Sequence, residues 1–302
     1  PPCFARQKGY SVENFTILLK KYADFKIKTL GKWYPTAVRT GIDRKYKKYI
    51  SNYGQSYGEW AEPTEVHITG FKDFACPHPE ETTAYIVYML QTMAEIAEVL
   101  GKAEDQKHFS EYAEKAKIGY GKLIECPKFS LDTDRQAKLV RPLYMGLLDE
   151  KQTEFAKKRL ITALEHYDWR LGTGFLSTPF ILYVLEDIDV EYAYRLLENE
   201  QMPGWLFMPK MNANTIWESW EGTQAQGGIA SLDHYSKGAV LEWVVSEMCG
   251  IQVSGENEFK IAPKVGGHFM FAKCEYQSVY GKIKSGWERR NGKAVYTISV
   301  PA

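Results

Sequence analysis

Net charge is the first thing this sequence lacks: 38 Lys and Arg balance 38 Asp and Glu over 302 residues. A neutral chain carries no electrostatic footprint for general nucleic-acid binding, and its densest basic stretch, "RTGIDRKYKKYI", reads as a solvated face. Long apolar runs are missing too, which excludes a membrane-spanning helix. No charged n-region with an apolar core opens the chain, so no secretory leader is visible. Cysteine is sparse, and Cys3, Cys76, Cys126, Cys249 and Cys274 are scattered, odd in number and free of C-x-x-C spacing. That argues against a disulfide framework or a zinc site and for idle thiols in a reducing compartment. The expectation is a cytoplasmic protein with neither nucleic acid nor membrane as partner.

Aromatic residues, by contrast, are abundant at 14%, with eight Trp and twenty Tyr. Flat rings fill cores, and they also cover the apolar faces of sugars in clefts. Most of the chain reads as helix. Ile86, Leu90, Met93, Ala97 and Leu100 alternate in steps of four and three, one stripe of a helix that Gly101 stops. Phe109, Ala113, Ala116, Tyr120 and Leu123 repeat the pattern, so the two predict an antiparallel helical hairpin. Further helices are expected near Glu13 to Leu30, Gln136 to Leu148, Thr153 to Glu165, Pro179 to Glu186, Val190 to Glu198 and His234 to Cys249. This makes about eight, with no fixed-length repeat of the solenoid kind.

The connections are long and rich in Gly, Pro and aromatics, especially from Asn52 to Glu81 and from Leu197 to Tyr235. Such loops are usually functional or disordered, and these carry too many large apolar residues for disorder. The texture changes at Gly250. "FKIAPKV", "FMFAKCEYQSV", "GKIKSGWERR" and "KAVYTISVPA" read as four strands, with Asn291-Gly292 as a two-residue hairpin turn. A helical domain at 1–250 and a β domain at 251–302 are expected.

One stretch is not packing material. "NTIWESWEGT", Asn214 to Thr223, sets Trp217, Glu218, Trp220 and Glu221 within five residues. Together with "SLDHYSKGAVLEWVVSEMCGI", "FKIAPKVGG" and "YGKIKSGWERRNGKAVYTISVPA", it resembles the C-terminal part of bacterial α-L-rhamnosidases of glycoside hydrolase family 78. Upstream, "YGEW" resembles that family's Gly-Asp-Trp loop, "LDTDRQAKLV" its Asp-x-Gln helix start, and "LGTGFLSTPFILYVL" its Thr-Gly-Phe-x-x-Thr-Pro segment. The matches run in family order from Tyr57 to Ala302.

The resemblance implies a mainly α protein: an (α/α)6 toroid, incomplete on its N-terminal side, followed by a small antiparallel β-sandwich portion. It implies inverting hydrolysis of a terminal α-L-rhamnosyl residue, without cofactor or metal. Glu218 becomes the catalytic base. His234 binds the sugar, Trp60 contacts it, and Trp217 and Trp220 are expected among the substrate-binding residues that line and shape the site. An aromatic wall suits the C5 methyl of rhamnose, and inversion needs one carboxylate to activate water while a second group protonates the leaving oxygen. Plainer readings stand beside these: Glu218 as a surface carboxylate between core tryptophans, His234 as a helix-start histidine, Trp60 as packing. Glu59 stands where the family has Asp, one methylene longer, and either binds a sugar or holds the loop. Asp132 and Asp134 read as helix caps, and Glu221 as a weaker rival to Glu218.

The general acid of the family, from an upstream Arg- and carboxylate-rich motif, is not recognisable; Asp43 and Arg44 lack its surroundings. Eight helices are also fewer than the twelve of a six-hairpin toroid. The chain is therefore expected to be a fragment whose partners are a rhamnose-containing glycoside and a missing N-terminal segment. Its uncovered faces are expected to cause self-association, and it should turn over poorly alone. The rivals are a different (α/α)6 carbohydrate-active enzyme and a non-catalytic carbohydrate-binding or structural derivative of the fold.

Overall fold

The computed structural model describes residues 12–68, 70–225, 230–255 and 258–301. The opening "PPCFARQKGY", with Cys3, lies outside the described residues, as do 226–229 of the long loop. The helices are α1 (Val12–Thr29), α2 (Arg44–Lys47), α3 (Phe71–Ala75), α4 (Pro79–Val99), α5 (Ala103–Ile124), α6 (Gln136–Tyr144), α7 (Glu150–His166), α8 (Ile181–Glu186), α9 (Val190–Leu197), α10 (Phe207–Lys210) and α11 (Val240–Trp243). The strands are β1 (Ile251–Val253), β2 (Phe259–Ile261), β3 (Phe271–Ser278), β4 (Gly281–Arg290) and β5 (Lys293–Ser299). The described chain divides into two compact units.

The first unit holds the described residues of Pro1–Trp60, Thr69–Thr133 and Arg141–Arg159. The α4–α5 hairpin dominates it, and the two stripes read from the sequence are its seam. Ile86, Leu90, Met93, Ala97, Phe109, Ala113, Ala116, Tyr120 and Leu123 are all at most 5% exposed. Each large apolar side chain so buried contributes about 1.5–3 kcal/mol. Leu100 falls beyond the seam and is exposed, because the chain turns there: Gly101 N donates to Glu98 O and Lys102 N to Ala97 O. A smaller cluster of Ile42, Ile50, Leu123 and Phe129 packs the chain after α1 against the end of α5. Helix α1 buries Ala23 and Ile27 but leaves Leu18, Tyr22 and Phe25, at steps of four and three, exposed.

The second unit holds Ala61–Ile68, Asp134–Val140 and the described residues of Leu160–Ala302. Helices α8 and α9 pack together, with Tyr194 edge-on to the buried ring of Trp243 at 5.4 Å. Strands β1 and β2 form one antiparallel pair, and β3-β4-β5 form a three-stranded antiparallel meander. The meander docks on the end of the helical part: Trp287 Nε1 donates to Met248 O at 2.8 Å and Ser285 Oγ to Cys249 O at 2.6 Å. Asn291 and Gly292 turn β4 into β5 with φ of 51° and 75°, the left-handed pair that a two-residue hairpin turn demands. Strand β5 is exposed or half-buried along its whole length.

Several expectations need adjusting. The helix expected over His234 to Cys249 is three shorter turns in series: a 3-10 turn at Tyr235–Ala239, then α11, then a π-turn at Val244–Met248 closed by Cys249 N on Val244 O. Apolar spacing over so few residues cannot separate these hydrogen-bond spans. Helix α6 ends at Tyr144 rather than Leu148, where Leu147 N turns back to Pro142 O. Five strands form instead of four, because Ile251–Val253 pairs with β2.

Candidate functional site

The loop that carries Glu218 is fixed by pairing with its own return. Glu218 N donates to Ser231 O at 2.9 Å and His234 N to Ile216 O at 2.7 Å, so 216–218 and 231–234 lie side by side. Ser231 N donates to Glu218 Oε2 at 3.0 Å, which orients a carboxylate that is only half-buried. The pairing brings Glu218 and His234 onto one small platform although they stand 16 positions apart. Gly222 sits behind the platform with φ of 53°, and a Cβ there would fall 2.3 Å from the Trp217 ring. Only glycine admits both that backbone and that ring.

His234 opens the 3-10 turn, where its Nδ1 accepts from Ser236 N at 3.4 Å. An accepting Nδ1 places the proton of the neutral ring on Nε2, the tautomer that can donate to a hydroxyl. The ring stacks with Phe175, centroids 4.7 Å apart, and with Tyr235 at 5.3 Å. His234 is therefore a helix-start residue that also keeps a half-buried, oriented imidazole.

The tryptophans of the motif lie deeper than their reading as sugar-lining residues requires. Trp220 has 0% exposure, donates Nε1 to Thr173 O at 2.8 Å and meets Trp205 edge-on at 6.0 Å. Trp217 is 7% exposed and packs edge-on to Phe207. A ring without exposed surface cannot cover a sugar, so Trp220 supports the platform from behind. Glu221 is likewise committed: it accepts from Thr64 N at 2.8 Å and Thr64 Oγ1 at 3.0 Å.

Those bonds belong to a set that fastens Ala61–Ile68. Arg135 Nε lies 2.8 Å from Glu62 Oε1, and Arg170 Nη1 lies 3.1 Å from Glu65 Oε2. Lys237, wholly buried, donates Nζ to Ala61 O at 3.1 Å and rests 4.0 Å above the Trp220 ring. Nothing in the sequence marks Lys237 beyond its place three residues after His234, ahead of the apolar "GAVLEWVV".

Glu59 and Trp60 belong to the first unit. Glu59 is buried and its Oε2 accepts from Arg141 Nη1 at 2.6 Å, which favours loop-holding over sugar contact. The same guanidinium reaches Glu80 at 3.0 Å and Glu81 at 3.7 Å, and Tyr120 OH donates to Glu80 at 3.0 Å. Burial is the chief cause that pushes the Glu81 carboxyl above its usual range, followed by Arg141 pulling it down and Glu80 and Glu59 raising it further. Trp60 itself is half-buried, its ring edge-on to the exposed Tyr57 at 5.4 Å. Asp132 pairs with Arg159 and Asp134 with His166, both partners on α7.

Among the described residues no group of three or more His, Cys, Asp or Glu is arranged to hold a metal ion, and no helix is long and apolar enough to cross a membrane. The family model of the bacterial alpha-L-rhamnosidase 6 hairpin glycosidase domain matches residues 20–248, and that of the bacterial alpha-L-rhamnosidase C-terminal domain matches 252–302. An alpha-L-rhamnosidase of Streptomyces avermitilis is 30% identical over 265 residues, covering 85% of this chain and 25% of the relative. One of Formosa agariphila is 31% identical over 276 residues, covering 84% and 29%. The crystal structure of the Streptomyces avermitilis enzyme complexed with L-rhamnose superposes with a TM-score of 0.74 at 25% identity, covering 96% of this chain and 26% of that one. The alpha-L-rhamnosidase structure from Dictyoglumus thermophilum gives 0.78 at 26% identity, covering 96% and 31%. The chain thus spans 25–29% of the length of the curated relatives it matches. A mainly helical chain with a small antiparallel sheet at its end, matched by that family model over most of its length, belongs to the bacterial α-L-rhamnosidase six-hairpin glycosidase family.

Proposed function

We propose that this chain carries the base side of a site that hydrolyses terminal α-L-rhamnosides with inversion. Glu218 is the general base that activates water, His234 donates from Nε2 to a sugar hydroxyl, and Trp60 contacts the sugar ring. Trp217 and Trp220 give the platform a dry backing. Glu59 acts on the loop rather than on the sugar. The observation that carries the reading is the pairing of 216–218 with 231–234, which sets an oriented carboxylate and an oriented imidazole on one platform. Bases of this kind must be ionised and reach a water, and a half-buried carboxylate held by an amide N–H meets the geometric part of that need.

The general acid, in this reading, lies in the additional length that the relatives possess, and that additional chain is the natural partner of this one. The division at 1–250 and 251–302 separates the catalytic portion from a β domain. Rhamnosides enter as the substrate class because the relatives are alpha-L-rhamnosidases and one was crystallised with L-rhamnose.

The test is turnover of 4-nitrophenyl α-L-rhamnoside and of a natural rhamnoside. It compares the chain alone with the chain joined to the relatives' additional segment, each with Glu218 and with Glu218→Gln. In the joined protein the substitution should lower kcat by about 10²-fold to 10⁴-fold while L-rhamnose still binds. Near-normal turnover by the Gln variant removes Glu218 from the role. Full activity of the chain alone on the natural substrate shows that the acid is within it.

A further inference from the structure

A cleft of about 680 Å³ opens between the end of α7 with the turn after it, helix α9 and the segment around Gly267, all within the second unit. Its volume lies in the range of about 300–1,000 Å³ usual for small-molecule sites. None of its lining residues belongs to the Glu218 platform. One wall is fixed by carboxylates that hold backbone. Glu191 accepts from Gly267 N at 3.0 Å, and Glu198 accepts from His268 N and, at 3.2 Å, from Phe269 N.

Asp168 and Trp169 form another part of the lining, two consecutive non-glycine residues with φ of 52° and 55°. Such residues rarely adopt that conformation, and it persists only where the surroundings impose it. Here Asn199 Nδ2 donates to Asp168 O at 3.0 Å and to Trp169 O at 2.8 Å, while Trp169 N returns to Leu164 O at 2.7 Å. The indole so held is 4% exposed. Tyr192 packs on it with centroids 5.2 Å apart, and the Arg195 guanidinium lies over it at 4.2 Å. Its Nε1 is buried and has no hydrogen-bond partner among the described residues. A buried donor without an acceptor is rare in folded proteins and calls for an explanation.

We propose that this cleft is a binding site for a neutral saccharide, one of whose oxygens is the acceptor for Trp169 Nε1. Glu165 and Asp168 are exposed acceptors in the same cleft, whereas Trp169 and Arg195 are donors. A hydroxyl donates and accepts at a single atom, so a polyhydroxylated ligand serves both kinds of group at once. Glu165, Asp168, Glu191 and Glu198 outnumber the Arg195 guanidinium, and an acidic lining disfavours an anion. A cation suits that charge but offers the indole N–H nothing to bond. The half-buried Tyr192 ring adds an aromatic surface for the apolar face of a pyranose. In the bound state the exposed Arg195 side chain swings off the indole and donates to the sugar. The assignment stands on this cleft alone and is independent of the role given to Glu218.

The experiment uses the chain with its tryptophan indole nitrogens isotope-labelled for NMR. It is titrated with maltose, cellobiose, lactose and L-rhamnose, and separately with arginine and spermidine. The Trp169 signal is the one lost in Trp169→Phe or, where that variant does not fold, the one displaced in Arg195→Ala. At least one saccharide should move that signal downfield along a saturable curve. Glu165→Ala combined with Asp168→Asn should weaken that saccharide about tenfold or more, through the loss of charge-assisted hydrogen bonds. Asparagine tolerates the left-handed backbone of that position, so the other indole signals should stay in place. His234→Ala should leave the affinity read at Trp169 unchanged. A Trp169 signal that no saccharide moves overturns the site. So does a signal moved only by arginine or spermidine, which marks a cation site. A saccharide that binds the double variant with parent affinity, or loses its effect on Trp169 in His234→Ala, is bound elsewhere and overturns it as well.

Discussion

Replacing Glu81 by glutamine should stabilise the protein, and increasingly so as the pH rises. The Arg141 guanidinium faces Glu59, Glu80 and Glu81, whose side chains are 0%, 6% and 7% exposed. Three ionised carboxylates around one guanidinium would crowd like charges together away from water. Glu81 is placed to keep its proton. Its Oε1 is 3.7 Å from Arg141, and its Oε2 is buried without a hydrogen-bond partner, 3.6 Å from His78 Nδ1. His78 Nε2 is occupied in donating to Asp73 O at 2.7 Å. Burial, the largest cause, lifts the Glu81 carboxyl above the ordinary value of 4.5. An acid whose pKa is higher folded than unfolded contributes its full stability below the unfolded value. It loses that stability as the pH climbs, because the unfolded chain releases the proton first. The loss approaches about 1.4 kcal/mol per pH unit for one proton until the folded pKa is passed. Glutamine mimics the protonated acid and has no proton to release, so the stability difference between Glu81→Gln and the parent should start near zero at pH 4 and grow steadily above 4.5. Glu59 and Glu80 are present in both proteins and largely cancel. Urea unfolding followed by tryptophan fluorescence across pH 4–8 measures the difference. A Gln variant that is less stable at every pH would mean that Glu81 is ionised and paired with Arg141, and the account of the cluster would fail.

Gly222→Ala should cost about 2–4 kcal/mol, from a left-handed backbone and a Cβ forced onto Trp217, whereas Gly121→Ala, a helical site with nothing within 4 Å, should gain about 0.5–1 kcal/mol; urea midpoints compare them. Leu18, Tyr22 and Phe25 on α1 are 64%, 55% and 53% exposed, so converting all three to Lys should reduce self-association measured by light scattering, and an unchanged mass would clear this face of involvement. Burial pushes the Cys249 thiol up to about 12 and leaves it 1% exposed, so Cys249→Ser should leave the count of thiols that react at pH 8 in the native state unchanged and lower it by one in urea.

What the sequence made legible was periodic or local. The α4–α5 seam follows from spacing alone, and Asn291-Gly292 declares its turn because few residue pairs accept positive φ twice in succession. Glu218 and His234 stood out through a motif, and the pairing that unites them spans a short return. The supports were opaque for a physical reason. Arg141 meets Glu59 across 82 positions and Lys237 meets Ala61 across 176, and no periodicity links residues so far apart. Burial depth was equally hidden: composition announces that Trp220 is aromatic, but only packing tells whether its face meets solvent or Lys237.

Strand β5 has one further consequence. Among the described residues it pairs with β4 alone, so its outer row of peptide groups has no strand partner. Val295, Tyr296 and Ile298 along it, and Val300 just past its end, are each 40–60% exposed. A short uncharged run of β-branched and aromatic residues on an open edge has the composition that seeds cross-strand aggregates. The run is bracketed by Lys293 and Pro301, a charge and a residue unable to donate to a ladder, which are the two kinds of gatekeeper that limit such growth. Removing Lys293 and Pro301 at once should bring fibril-type scattering on in concentrated solution before any loss of helix.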